Sequence, residues 1–176
     1  MTYGEIQTDP VHGARYRFEQ RGDDLIVECW LAPGGVLPPH RHPAQEERWS
    51  VIDGEVELRL DARRRRIRAA DGPQIVKPEV VHGLRNRGDG DVHLSCYVTP
   101  ALGLEAFLTE SAGAARDGLF LKGGIPTSPR GLRWAASFLA RHSRDVVLSF
   151  PPPLAQRAMV SLFADADSKR AMRAGG

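Results

Sequence analysis

The sequence predicts an all-β domain, an antiparallel sandwich or barrel, followed by an α-helical extension. Three observations carry this reading. Up to Pro100 the chain consists of short alternating apolar and polar stretches broken by Gly, Pro and Asp, the punctuation of an antiparallel β-protein. The 176 residues include 18 Gly and 13 Pro, which supply the tight turns that many short strands require. Beyond Pro100 the apolar period lengthens from two residues to that of amphipathic helices. The expected organisation is a β-barrel domain over residues 1–99 and a helical extension over residues 100–176. Each helix is too short to be stable alone in water, so the extension is expected to pack on the barrel or on a partner subunit.

Each element has its own warrant. In Asp24–Leu31, Leu25, Val27, Cys29 and Leu31 share one face, with Ile26, Glu28 and Trp30 on the other; apolar groups on both faces suit a strand covered on both sides. Glu55–Asp61 alternates cleanly, with Val56, Leu58 and Leu60 inward. Asp53-Gly54 before it is a dipeptide favoured where a hairpin needs positive φ. Arg63–Arg66, Ile67 and Arg68 read as a turn and returning strand, with the arginines on a solvated edge that discourages edge-to-edge pairing. Further strands are expected near Gln74–Lys77, Val80–Arg85 and Val92–Val98. Helical stripes follow at Leu102–Leu108, Leu132–Leu139 and Ala155–Phe163. Lys122–Gly131 reads as a loop by composition. Pro151–Pro153 should stop one helix and start the next.

Composition narrows the function classes. With 41% hydrophobic and 26% charged residues the chain is globular rather than disordered. A formal net charge of +2 gives no field that would argue for nucleic acid or a membrane surface. Arginine supplies all but three of the 24 Lys+Arg, and the run at 63–66 lacks the interleaved aromatics of a single-strand binder. No recognition-helix pattern stands out near Leu132–Arg144. Met1–Pro10 has no basic stretch followed by an apolar run, so no secretory leader is expected. No window approaches the roughly 18 consecutive apolar residues of a membrane span. Cys29 and Cys96 can form at most one bridge and read as buried, reduced thiols. A cytoplasmic protein is the expectation.

The chemistry-bearing residues are ordered along the chain. His40 and His42 stand two apart, on one face of a strand. Glu47 follows after a turn-sized gap, and His82 closes the set some forty residues later. Three imidazoles and a carboxylate suit a first-row divalent ion (Fe, Mn, Co, Ni, Cu or Zn) and leave coordination positions open for catalysis. An isolated His-x-His is a weak signal; the glycines and prolines around it add the specificity.

Gly34-x5-His40-x-His42-x4-Glu47-x6-Gly54 resembles the first cupin motif at every fixed position. Gly72-x5-Pro78 and His82-x3-Asn86 are similar to the second, but the internal Gly is absent, with Glu79 and Val80 in its place, and the Pro-to-His gap is one residue shorter. The resemblance covers about Val27 to Val98. It implies a small jelly-roll β-barrel and a divalent transition metal held by His40, His42, Glu47 and His82. Should His82 not reach, the other three would still resemble a facial triad.

Strand parity then gives the expected pocket: Trp49 and Val51 with Glu47, Leu84 and Asn86 with His82, and Cys96 on the apolar face of its strand. His93, His12 and His142 are expected at the surface. Trp30, Ile26 and Ile52 would form an outer apolar face, covered by Trp134 and Phe138 in cis or from a partner, and a homodimer is expected. Cupins as a group perform dioxygenation, isomerisation, decarboxylation and lyase chemistry, and fold does not choose among them. The expected function is that of a metal-dependent small-molecule enzyme, dioxygenase-like first. The alternative is a non-catalytic cupin that binds a small ligand or senses a metal. Sequence offers no clear acid–base residue: Tyr97 or Glu28 would serve only with opposite strand parity.

Overall fold

A computed structural model describes residues 4–173, including helices whose side chains at Ala171 and Arg173 are not described. The outermost residues of both predicted segments, 1–3 and 174–176, lie outside the described residues. The strands, in chain order, are β1 (Gln7–Asp9), β2 (Ala14–Arg21), β3 (Asp24–Leu31), β4 (Val36–Arg41), β5 (Glu46–Asp53), β6 (Glu55–Leu60), β7 (Arg63–Arg68), β8 (Gln74–Val76), β9 (His82–Arg85) and β10 (Val92–Thr99). After them come α1 (Leu104–Arg116), a small hairpin β11 (Phe120–Leu121) and β12 (Ile125–Pro126), α2 (Pro129–Arg141), β13 (Val147–Leu148), α3 (Pro153–Phe163) and α4 (Ala166–Arg173).

Two antiparallel sheets face each other. One runs β1-β2-β3-β10-β5-β8 and the other β13-β4-β9-β6-β7. Their inner faces hold Leu25, Leu31, Leu58, Leu84, Leu94 and Val98, all essentially inaccessible. This is a jelly-roll barrel with a helical extension, as the sequence predicts. The alternation of β3 is reproduced residue for residue: Leu25, Val27, Cys29 and Leu31 are buried and their neighbours half-buried. The period-2 pattern fixes this, because a one-residue slip would turn every apolar side chain outward. The arginine-rich β7 is the outer strand of its sheet, with all its arginines exposed. Gly54 takes φ +87°, and a Cβ there would lie 3.1 Å from Val92 Cγ2, so the turn requires glycine.

The extension is built into the barrel. Ala101, Leu104 and Val146 belong to the barrel core, with Phe107, Leu108 and Leu148 packed against it. A second, smaller core joins α2 to α3 through Ala136, Ala140, Val160 and Ala164, small side chains that let the helices approach. Ser128 caps α2, its Oγ accepting from Gly131 N at 3.2 Å.

Several expectations are corrected. Residues 7–21 hold two strands absent from the expectation, although Ala14, Tyr16 and Phe18 alternate with Arg15, Arg17 and Glu19 in β2. Lys122–Gly131 is not all loop: it contains β12 and the start of α2. Before Pro151–Pro153 there is no helix end but β13, whose Leu148 pairs with His40 and Val147 with Arg41. Two residues carry no periodicity, so pairing alone makes them a strand. Trp134 and Phe138 do not cover the outer face; they stack on each other at 4.6 Å and turn toward the barrel mouth. Trp30 instead stacks on His93 at 4.7 Å with Arg15 and Arg17 near its ring. His142 is buried between the rings of Phe107 and Phe138, with Nε2 3.3 Å from Glu110, and His12 hydrogen-bonds buried Asp9 at 2.7 Å. Among the described residues no helix is long and apolar enough to cross a membrane.

Candidate metal centre

Backbone geometry explains why four residues spread over 43 positions meet. His40 is the last residue but one of β4 and pairs with His82 at the start of β9, the neighbouring strand. The register shifts between Leu37 and His40, where Pro38 and Pro39 cannot donate to a ladder. Gly83 allows the close crossing: a Cβ there would lie 2.9 Å from Leu37 O and 3.2 Å from Pro39 N. His42 leaves β4 one residue after its end, and Glu47 enters on β5 from the opposite sheet.

The missing glycine of the second motif has a backbone substitute. Glu79 occupies positive φ, +67°, the region glycine normally supplies. Its N–H donates to His42 O at 2.8 Å, and its carboxylate pairs with Arg41. The shortened turn is thereby tied to the end of β4, and His82 still reaches the cluster.

Each histidine is oriented by a backbone carbonyl. His40 Nδ1 lies 2.7 Å from Pro38 O, His82 Nδ1 3.0 Å from Val80 O, and His42 Nδ1 2.7 Å from Asp145 O. A carbonyl only accepts, so in each neutral ring Nδ1 carries the proton and Nε2 presents a lone pair. Glu47 Oε1 lies 3.0 Å from His42 Nε2 and Oε2 lies 2.8 Å from His82 Nε2. These contacts are close but misdirected for hydrogen bonds, and both Nε2 atoms are buried without a hydrogen-bond partner. One donor atom from each of the four residues lies within 4.8 Å of the others. Lone pairs converging on a carboxylate in a dry site need a cation between them. The borderline nitrogen and oxygen donor set fits a first-row divalent ion.

The four groups are electrostatically coupled. Burial, then the rings of His82 and His42, hold His40 well below the ordinary histidine range, which keeps it neutral. Burial alone would push the Glu47 carboxyl up, but His82 and His42 outweigh it and hold it well below the usual range. Burial would likewise pull His42 down, and Glu47 outweighs that, holding it up. Trp49 Nε1 donates to Glu47 Oε2 at 2.7 Å and so aims the carboxylate.

The cluster opens on a cavity of about 490 Å³, within the range of small-molecule sites. His40, Glu47, Trp49 and Cys96 line it. Val51, Leu84 and Asn86 do not. Val51 and Leu84 are buried in the barrel core instead. Asn86 is a structural clamp: its Nδ2 donates to Leu31 O at 2.9 Å and Gly90 O at 2.7 Å, and its Oδ1 accepts from Gly88 N at 2.9 Å. Tyr97 bonds Asp24 and Glu28 pairs with His93, both outside the barrel. Sequence reasoning missed Asp9, His12 and Tyr16, which line the cavity, and Asp145, which acts through its backbone and leaves no side-chain signal.

A family model described as a Cupin domain matches residues 27–98. H2HPP isomerase of Bacillus subtilis is 28% identical over 81 residues, 46% of this chain and 34% of that protein, so the match spans about a third of the relative's length. The solved structure of KdgF from Halomonas sp. superposes with TM-score 0.50 and 20% identity over 55% of this chain and 86% of that one. AerE from Microcystis aeruginosa superposes with TM-score 0.50 and 22% identity over 55% of this chain and 44% of that one. At these identities the structural likeness is one of fold. With the motif residues gathered at the barrel mouth, residues 27–98 of this chain are a cupin domain.

Proposed function

We propose that the chain is a metal-dependent enzyme acting on a small molecule in the roofed cavity, with oxygenase-type chemistry the first reading. The observation that carries it is the convergence of three carbonyl-anchored imidazoles and Glu47 at the wall of a ligand-sized chamber. His40, His42 and His82 would hold the ion through Nε2 and Glu47 through a carboxylate oxygen. A bound divalent ion supplies Lewis-acid or oxygen chemistry and open coordination positions. The match to an isomerase over a third of its length supports metal-assisted isomerisation as the neighbouring reaction class.

The chain's own residues do the rest. Trp49 fixes the carboxylate, and α1 and α2 supply apolar wall. Asp9, buried, receives Val11 N, His12 N and His12 Nδ1 at 2.9, 3.0 and 2.7 Å. That arrangement fixes the His12 ring at the chamber wall. Tyr16 stays protonated, because burial, then Cys29 and Asp9, push its hydroxyl well above the ordinary range.

Metal analysis of purified protein beside a His40→Ala/His42→Ala variant tests the site. Near-stoichiometric metal in the wild type and its loss in the variant are expected; equal content in both would sink the assignment. Oxygen uptake with phenolic, diketone and thiol compounds tests the reaction class. Metal and ligand occupancy without turnover would favour the non-catalytic binding alternative.

A further inference from the structure

The extension builds much of the chamber wall. From the barrel come Val27, Leu37, Trp49 and Cys96; from the extension come Phe107, Leu108, Phe120, Trp134, Phe138 and Leu139. The aromatic rings support one another. Trp134 stacks on Phe138 at an interplanar angle of 17°, Phe107 lies 4.8 Å from Phe138, and Phe120 meets Trp134 edge-on at 5.5 Å. Rings held by rings form a wall of fixed shape, suited to a flat apolar body.

The rim has the same character. Ile125 and Phe150 line the chamber yet are 56% and 74% exposed, beside the glycine turn Gly123–Gly124 of the β11–β12 hairpin. Large apolar side chains left in water at an opening suit an apolar guest. Among the described residues lining the chamber there is no Lys or Arg. With no Lys or Arg there, an anionic group on the guest is met best by a cation at the histidine cluster.

We propose that the chamber takes a small molecule with an aromatic or alicyclic body of about two fused rings and a single carboxylate- or enolate-type head. The body lies against the rings of α1 and α2, and the head faces His40 and Glu47. The head rests on the metal reading above; the body rests on the helical wall alone.

Calorimetric titration of the full chain with 2-naphthoate and benzoate tests this, with the metal-loaded and the chelator-treated protein. In the loaded protein 2-naphthoate should bind about tenfold more tightly than benzoate, because its extra ring is buried. Trp134→Ser should reduce that ratio by removing wall, and Ala135→Trp should block 2-naphthoate by filling the chamber without opening a void. Leu154→Ser, on the exposed face of α3, should change neither. Equal affinity for the two acids in protein that holds metal would overturn the inference alone. A preserved ratio in protein that binds no metal would sink the metal reading and the head assignment, leaving the body. Loss on Leu154→Ser matching that on Ala135→Trp would place binding on the exposed helix and overturn the proposal.

Discussion

The backbone carbonyl of Asp145 accepts a hydrogen bond from His42 Nδ1 at 2.7 Å, across 103 positions of sequence. A residue of the helical extension thus sets the tautomer and orientation of a histidine in the cupin motif. The Asp145 side chain is anchored in turn, its Oδ1 accepting from Gly103 N at 3.1 Å. Extension and metal centre are one mechanical unit, and the first prediction follows from that.

A Cβ at Gly103 would lie 2.4 Å from Asp145 Oδ2 and 2.9 Å from its Cγ. Gly103→Ala should destabilise the fold by about 1–3 kcal/mol as an overpacking change. It should also weaken metal retention by about tenfold, as for lost outer-shell partners. In an Asp145→Ala background the clash is gone and the same substitution should cost much less. Urea denaturation of the four proteins measures the coupling; additive losses would contradict the proposed contact.

Trp49 acts on the site through one hydrogen bond to Glu47. Trp49→Phe keeps most of the ring volume and removes the donor, so metal affinity should fall by about tenfold. Val51→Ala, two residues on in the same strand and buried in the core, should lower stability by about 1–3 kcal/mol and leave affinity unchanged. Chelator competition paired with thermal melts separates the two effects.

Asn86 is wholly buried and makes three side-chain hydrogen bonds to backbone groups. Asn86→Ala strands those groups at a cost of about 3 kcal/mol. Because the clamp lies away from the chamber, binding of 2-naphthoate to the folded fraction should not change. A variant that folds normally but loses the ligand would return Asn86 to the pocket.

Glu79 occupies the left-handed region at a position where the motif has glycine. Glu79→Val puts a β-branched side chain there and should cost about 1–2 kcal/mol. Glu79→Gly relieves the backbone but gives up the Arg41 contact, and should be the more stable of the two. Equal melting temperatures for both variants would refute the strain.

Burial pushes the Cys29 thiol up, with a smaller contribution from Glu28. Burial, then the Glu47 charge, does the same to Cys96. Neither should react with iodoacetamide at pH 8 in the native protein, and both should react in denaturant. Raised folded-state values also set a pH dependence. Above about pH 9 the unfolded chain loses thiol protons that the folded chain keeps, so stability is full below that pH and declines as pH rises. Tyr16 extends the decline further into alkali. Unfolding free energies measured from pH 7 to 11 should hold level up to about pH 9 and fall above it; a flat profile throughout would count against buried, protonated thiols.

Local patterns in the sequence determined much of this protein. Alternation in β3, β6 and β10 selected which face is core, because period two leaves no freedom once one face is buried. The motif spacing picked out His40, His42, Glu47 and His82, since the turns between them have fixed lengths. Tertiary structure decided the rest, wherever the working group has no local signature. Asp145 contributes a backbone carbonyl, β13 exists only as a partner for β4, and Gly83 matters through the strand that crosses it. His12 reads as a lone surface histidine until the fold sets Asp9 beneath it. The aromatic stripe of α2 could have met either face of the barrel. Only the packing of α1 and α2 over the mouth turned Trp134 and Phe138 from a cover for the outer sheet into the wall of the chamber, with Phe107 beside them.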